Sequence, residues 1–497
     1  MPLAPAITDI EQLKDRPIVA DLLAWRAEAV TAARFDRNEL TIYIAREAIR
    51  EACARLKAQG LTDFMSDLTC ADFYPREPRF ELAYHLLSIK RKDRVRLKVR
   101  LSGDEPSLES IISVWPSVNF FERELFDLFG IRFLGHPYLR RIMMPDIGFL
   151  HTGIEKTCEA KFYQQIVPLT DRIDYLCPMV NNLCYVMAVE KLLGLEIPPR
   201  AQWMRVMLAE LQRISSHLVW LGTHAMDIGA MSVFLYCFRE REDLLRIYEM
   251  VSGQRMMTSY FRIGGLALDP PLGFFEKVKD FLNKFPERID EYENLLTGNR
   301  IFIDRLKDVA KISADDALAI GVTGPSLRAS GVDFDLRRDM PYCGYENFKF
   351  KVPVRQDGDV WARYVCRVEE LRQSREIAKQ ALEGMPSGST KAEAPKIVLP
   401  DREKMKTQME ALIYHFKIVT EGFAVPAGEV YHAIESPRGE MGYYIVSDGT
   451  AKPLRVHMRS PSYANLQALP QMCEGRLIAD VVAAIGSIDI VLGEIDR

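Results

Sequence analysis

Tyr175, Asp227 and Cys177 are the residues of this chain whose types and settings first invite chemistry. Tyr175 stands in Arg172-Ile-Asp-Tyr-Leu-Cys-Pro. A phenol is neutral at pH 7 and carries its donor on a rigid ring, so it suits a hydrogen bond to a carbonyl oxygen that must gain a proton. The plain alternative is a core tyrosine with a satisfied hydroxyl. Asp227 lies in Thr223-His-Ala-Met-Asp-Ile-Gly-Ala, between two stretches of helical period. A carboxylate in such apolar company needs a partner or a raised pKa, unless it caps a helix that starts at Ile228. His224, three residues earlier on the same face, reads as a packed histidine. Arg172 has Asp171 and Asp174 close by as ion-pair partners. The nine cysteines are dispersed and none forms a C-x-x-C pair, so neither a zinc site nor a thioredoxin-like site is readable. One thiolate at Cys177 cannot hold a soft transition metal that wants several, and no metal is expected. Gly264-Gly265 lacks the strand–GxGxxG–helix setting of a dinucleotide site.

The elements that must position these groups divide in two. A chain of 497 residues is too long for one ordinary core. Residues 1–146 read as a small α/β-type domain. Strand alternation marks Leu40–Ala45, Phe80–Ile89 and Val95–Leu101, and helices are expected over Arg46–Ala58 and Ser107–Leu128. Residues 147–497 read as mostly helical. Apolar spacing predicts helices over Cys158–Leu193, Ala201–Thr223, Ser232–Tyr260, Phe274–Leu296, Val360–Glu383 and Arg402–Thr420. A short β-rich tail follows at Gly428–Ile434, Gly442–Val446 and Lys452–Met458. The fold class is α+β. Net charge is −4, which gives no support for a nucleic-acid partner. The dispersed cysteines suit a reducing compartment, and the N-terminus does not read as a signal peptide. No apolar run approaches the roughly eighteen residues of a membrane span.

Several long motifs carry a resemblance. Arg172-Ile-Asp-Tyr-Leu-Cys-Pro-Met-Val-Asn-Asn and the terminal Ser487-Ile-Asp-Ile-Val-Leu-Gly-Glu resemble the nickel-binding stretches of [NiFe]-hydrogenase large subunits, R-x-C-x-x-C-x-x-x-H and D-P-C-x-x-C. Aligned without a gap, Asp174, Asn181, Val491 and Glu494 stand where three thiolates and a histidine would be, and only Cys177 remains. Glu122-Arg-Glu-Leu-Phe-Asp-Leu-Phe-Gly through Arg141 looks like the C subunit of respiratory complex I, NADH:quinone oxidoreductase. Pro199-Arg-Ala-Gln-Trp, Thr223-His-Ala-Met-Asp, Cys366-Arg-Val-Glu-Glu-Leu-Arg and Glu435-Ser-Pro-Arg-Gly-Glu-Met-Gly look like its D subunit. The chain resembles a fused C/D subunit.

That resemblance implies a role in quinone reduction. NADH is oxidised on another subunit, and electrons reach a terminal iron–sulfur cluster on the B subunit. They pass to a quinone headgroup between B and D, and this drives proton pumping. Tyr175 matches the headgroup tyrosine. Thr223 and Asp227 match the cavity wall, and Arg172 matches a cation beside the terminal cluster. Quinone is the substrate, and this chain binds no metal or flavin. The implied partners are the B and I subunits, the E/F/G module and the membrane H subunit. The implied place is the cytoplasmic side of the bacterial inner membrane, held peripherally. Two alternatives have the same frame: a non-catalytic scaffold subunit, or the D-like subunit of a ferredoxin-fed relative. Two departures stand out. Met257 replaces a histidine found in many relatives. Asp146 runs straight into Ile147, and none of the eight histidines stands in the Q-H-P-x-x-H setting that supplies the family's headgroup histidine.

Overall fold

The structure, a computed structural model, describes residues 4–140 and 153–497; the Asp146–Ile147 junction falls outside them. The chain forms two compact units. One holds residues 4–140 together with Asp315–Val322, and the other holds residues 153–314 and Thr323–Arg497.

The first unit is built on a five-stranded sheet. Its order is Val30–Asp36, Glu39–Ile44, Asp93–Leu101, Phe80–Ser88, Phe64–Asp72. Glu39–Ile44 and Asp93–Leu101 run parallel, and the other neighbours are antiparallel. The helix Ile49–Ala58 buries Ile49, Ala52, Cys53 and Leu56, a helical stripe. The helix Val118–Phe129 packs on Phe64–Asp72 and stops at Gly130, whose φ of 72° is a left-handed cap. Phe64–Asp72 has no readable alternation because Ser66, Asp67 and Thr69 are buried along with their apolar neighbours. The helix expected from Ser107 begins only at Val118. Ser107–Glu109 is instead a strand parallel to Arg132–Leu134, and Pro116, with no N–H to give, precedes the helix.

The second unit is mostly helical. Its centre is the long helix Pro199–Asp227, in which every residue from Met204 to Gly222 is buried. Pro178–Leu193, Met231–Ser252 and Val360–Glu383 pack against it, as does Ile478–Ile488 near the C-terminus. The stretch expected as one helix over Cys158–Leu193 is three: Ile154–Glu159, Tyr163–Thr170 and Pro178–Leu193. Pro178 occupies the first helical turn, where a missing N–H does no harm, so the helix restarts there. Met231–Ser252 ends at Gly253, φ 73°, short of the expected Tyr260. Arg402–Thr420 divides at Gln408, whose φ/ψ of −125°/120° is extended.

Gly428–Ser436, Gly439–Ser447 and Arg455–Arg459 form an antiparallel three-stranded sheet against Pro178–Leu193. Ser436 pairs with Gly439, so Pro437 and Arg438 form a tight hairpin tip. That tip is driven into the core. A Cβ on Gly324 (φ 69°) would lie 2.4 Å from Gly439 Cα. Only glycine allows this approach.

The core of this unit is threaded with charge. Arg205 reaches Glu190 at 2.6 Å and 2.9 Å. Arg337 bonds Asp335 at 2.7 Å and Glu210 at 3.2 Å. Arg328 joins Glu435 at 2.8 Å and also Glu370, which His217 meets at 2.9 Å. Burial pushes His217 down to about 4, so it is a neutral partner at pH 7. Arg328, Arg337 and Arg372 thus serve as ion-pair residues; Arg372 reaches Asp290 at 2.8 Å. Arg367 does not. It bonds the Ser487 carbonyl at 2.6 Å and lies over the Trp220 ring.

Candidate active site

The turn Asp171–Cys177 links the helices Tyr163–Thr170 and Pro178–Leu193, and it is tied down on both sides. The Asp171 carboxylate accepts from Asn182 Nδ2 at 2.7 Å and from Ser259 N at 3.0 Å. Asp174 Oδ1 accepts from Leu176 N at 3.1 Å, and Asp174 O accepts from Cys177 N at 3.1 Å. The other Asp174 oxygen receives Arg438 Nη1 from the hairpin tip. Arg438 Nε donates to Asp489 O at 2.8 Å, and Nη2 lies 3.3 Å from Asp489 Oδ1. Burial works against this cation, but Asp174 and Asp489 overcome it and hold Arg438 protonated. The guanidinium therefore fastens the turn to the C-terminal segment.

Arg438 sits among the positions that align with metal ligands. Asp174 is its direct partner, and Glu494 and Cys177 are within its electrostatic reach. Burial, then Asp174, pushes the Cys177 thiol well up, so it is no thiolate. Among the described residues no group of three or more His, Cys, Asp or Glu is arranged to hold a metal ion. Glu494 is fully buried, and Ser462 Oγ donates to its Oε2 at 2.6 Å.

Tyr175 is half-buried and directly follows the anchored Asp174. Burial, then Asp174, raises its pKa, so the hydroxyl keeps its proton. Arg172 is exposed and donates to Pro168 O at 2.5 Å, not to Asp171 or Asp174. Thr223 Oγ1 donates back to Val219 O at 2.9 Å within its own helix. Asp227 is the last residue of the long helix and is exposed. It caps nothing, since the next helix starts only at Met231. Met226, Met231 and Leu235, close to it in sequence, are exposed. His224 is buried and stacked on Trp220 at 5.5 Å, and burial pushes it down to about 3. It reads as packing, as the sequence suggested. Met257 is half-buried.

The helix after Tyr175 packs along the long helix that ends at Asp227. No hydrogen bond or ion pair joins Tyr175 to Asp227 among the described residues. Sequence reasoning gave Arg438 and Asp489 no role. The signal for Arg438 was its place between Pro437 and Gly439, a two-residue turn between runs of alternating apolar residues. A cavity of about 260 Å³ lies elsewhere in this unit, lined by Arg262–Ala267 and Ile397–Leu399 among others. None of the expected site residues lines it.

Comparison with known proteins agrees on one family. The description of the respiratory-chain NADH dehydrogenase 49 kDa subunit matches residues 227–497. That of the 30 kDa subunit matches residues 42–159. The chain is 76% identical over 355 residues to the second of the NADH-quinone oxidoreductase D subunits of Koribacter versatilis (strain Ellin345), covering 71% of this chain and 88% of the relative. It is 70% identical over 354 residues to the first D subunit of the same enzyme in Solibacter usitatus (strain Ellin6076), covering 71% and 87%. It is 56% identical over 353 residues to the D subunit of Geotalea uraniireducens (strain Rf4), covering 71% and 90%.

Proposed function

Because this chain belongs to the NADH-quinone oxidoreductase (complex I) family, with the 30 kDa C-type and 49 kDa D-type subunits joined in one polypeptide, we propose that its D-type part forms the wall of the quinone-reduction site and that Tyr175 holds the headgroup. The observation that supports this most directly is the state of Tyr175. It is a protonated phenol, half-exposed, on a turn held by the buried carboxylates Asp171 and Asp174 and by Arg438. Such a donor is preorganised at an oxygen that gains electrons and then a proton.

Asp227 and Thr223 stand at the end of the neighbouring helix. Exposed Met226, Met231 and Leu235, near Asp227 in sequence, are apolar side chains that a partner or a quinone would cover. The electrons come from NADH through other subunits, the last of them a B-type subunit with an iron–sulfur cluster. Arg172, which is exposed and donates to a backbone carbonyl beside Asp171, is the cation we assign next to that cluster. Among the described residues no helix is long and apolar enough to cross a membrane. The chain works peripherally on the cytoplasmic side of the inner membrane, through the membrane subunits that pump protons. We put the boundary between the C-type and D-type parts at residues 146 and 147.

Tyr175→Phe in the assembled enzyme tests the reading. Quinone reduction should slow about a hundredfold if the phenol supplies a proton, while reduction of the upstream clusters by NADH continues. Unchanged quinone kinetics would put the headgroup elsewhere.

A further inference from the structure

The cavity of about 260 Å³ in the second unit belongs to no step described so far. Its walls are the helix Tyr163–Thr170, the hairpin Phe261–Leu266 and the chain over 391–399. Those walls are tied to one another. Leu266 N donates to Thr390 O at 3.1 Å, and Ala392 N donates to Gly264 O at 2.8 Å. A Cβ on Gly265 (φ 142°) would lie 2.1 Å from Thr390 O, and one on Gly264 (φ 90°) would lie 2.3 Å from Val398 Cγ2. Two glycines thus let this stretch close on the hairpin, and a space still remains beneath.

Protein interiors leave few voids larger than one water. This one has room for roughly nine waters at about 30 Å³ each. Water is a poor filler here, because Val167, Ile263, Leu266, Val398, Ile418 and Phe423 offer it no side-chain partner. Leu399, also in the lining, is 41% exposed and marks the solvent side.

The polar side chains in the lining are Gln164, Arg262 and Lys391, and no carboxylate is among them. Lys391 Nζ is held by Asp401 at 2.7 Å. Gln164 Nε2 donates to Ile418 O at 2.7 Å, while its Oε1 is buried with no hydrogen-bond partner among the described residues. Arg262 is the unusual one. Its carbonyl accepts from Arg205 Nη2 at 2.9 Å, but its guanidinium has no acceptor and no ion-pair partner among the described residues. A partly buried cation without an anion is costly.

We propose that this cavity binds one medium-chain carboxylate, with the chain against the apolar wall and the head on the Arg262 guanidinium. The planar guanidinium presents a fork that matches a carboxylate. Nine water-sized units correspond to a chain of about eight carbons with its head, so a two-chain lipid does not fit. An uncharged ligand would leave the cation unpaired. A water brought in with the head answers Gln164 Oε1. The ligand would also act as a brace. The helix Tyr163–Thr170 runs into Asp171, and Ser259, two residues before the hairpin, donates to the Asp171 carboxylate from N at 3.0 Å and from Oγ at 2.5 Å. A molecule held between the two walls therefore steadies both arms of that junction. None of this depends on what Tyr175 does.

The test titrates the purified full chain with octanoate labelled with carbon-13 at its carboxyl, followed by NMR at about pH 7.5. One saturable site per chain is expected. Arg262→Met should weaken it at least about tenfold, the loss of a charge-assisted hydrogen bond. Arg262→Lys keeps the charge without the fork and should recover part of the affinity. Octanol should bind at least about tenfold more weakly than octanoate. Binding that does not saturate, or equal affinity in Arg262→Met and the wild type, overturns the inference. If Arg262→Met does not fold, hydrogen exchange of the wild-type chain and of the assembled complex decides. At octanoate about ten times its Kd, exchange in peptides from the helix Tyr163–Thr170 and the hairpin Phe261–Leu266 should slow by up to about tenfold. Peptides from the five-stranded sheet should not change. No protection in the chain overturns the inference. Protection in the chain but not in the complex gives the cavity to a partner's segment and overturns it as well.

Discussion

Replacing Arg438 with Met removes the one cation that binds Asp174 and Asp489 while keeping a long apolar stem at the hairpin tip. Arg438 is fully buried, and its bonds are a direct contact to Asp174, 2.8 Å to the Asp489 carbonyl and 3.3 Å to its carboxylate. Breaking a buried pair by removing one partner costs about 3–5 kcal/mol, because the other charge stays buried and unpaired. At roughly 1.4 kcal/mol per decade, amide protection in the helix Pro178–Leu193 should fall by about two to three and a half orders of magnitude. Hydrogen exchange read by mass spectrometry on peptides from that helix measures it. The loss should be larger at about pH 8 than at about pH 5, since stranded carboxylates relieve themselves by protonation. Adding Asp174→Asn removes one stranded charge and should recover about 1–3 kcal/mol. Protection within about tenfold of the wild type in Arg438→Met would refute the claim that this cation fastens the turn. Equal losses in the single and double variants would refute the pairing with Asp174.

Glu122 in the first unit is buried, accepts from Ser110 Oγ at 2.6 Å and from Ile111 N at 2.9 Å, and is pushed up to about 7 by burial. Its folded form binds protons more tightly than its unfolded form, so stability is greatest below about pH 4.5 and declines as pH rises to about 7, by up to about 3 kcal/mol. Glu122→Gln should flatten that slope and raise the urea midpoint at about pH 8; a lower midpoint there would count against it. Gly324→Ala should destabilise the second unit by more than about 2 kcal/mol, because its Cβ would meet the hairpin tip at 2.4 Å; an unchanged thermal midpoint would show the tip can retreat. Asp227→Asn should leave stability within about 1 kcal/mol, since an exposed acid at a helix C-terminus gains nothing from the dipole. Its quinone turnover should drop all the same, and full turnover would remove Asp227 from the site.

What could be read from the residues follows from where the physics is local. The helices Phe274–Leu296 and Val360–Glu383 have the expected bounds because Gly273 and Asp359 mark their starts. The break of Cys158–Leu193 is legible at Pro178, but apolar residues that continue on both sides of it favour one unbroken helix. Phe64–Asp72 was not legible. Its polar residues are buried by elements far away in sequence, which no local period reports. The same holds at the site. Tyr175 and the lost thiolate positions were found through long motifs. The partnership of Asp174 with Arg438 spans 264 residues, and nothing in either segment names the other.

The hairpin tip has one more consequence, and it concerns dependence on supply. A cation that arrives as a free ion stabilises its site by mass action, through a term that grows with ion concentration and vanishes when a chelator removes it. The charge that Arg438 brings among Asp174, Asp489 and Glu494 arrives on a peptide bond instead. Its local concentration is set by the two-residue turn that carries it, and Gly324 and Gly439 leave it room to enter. It needs no insertion step, no pool of ions and no redox state, and it cannot be lost to dilution. The site is charged as soon as the chain has folded.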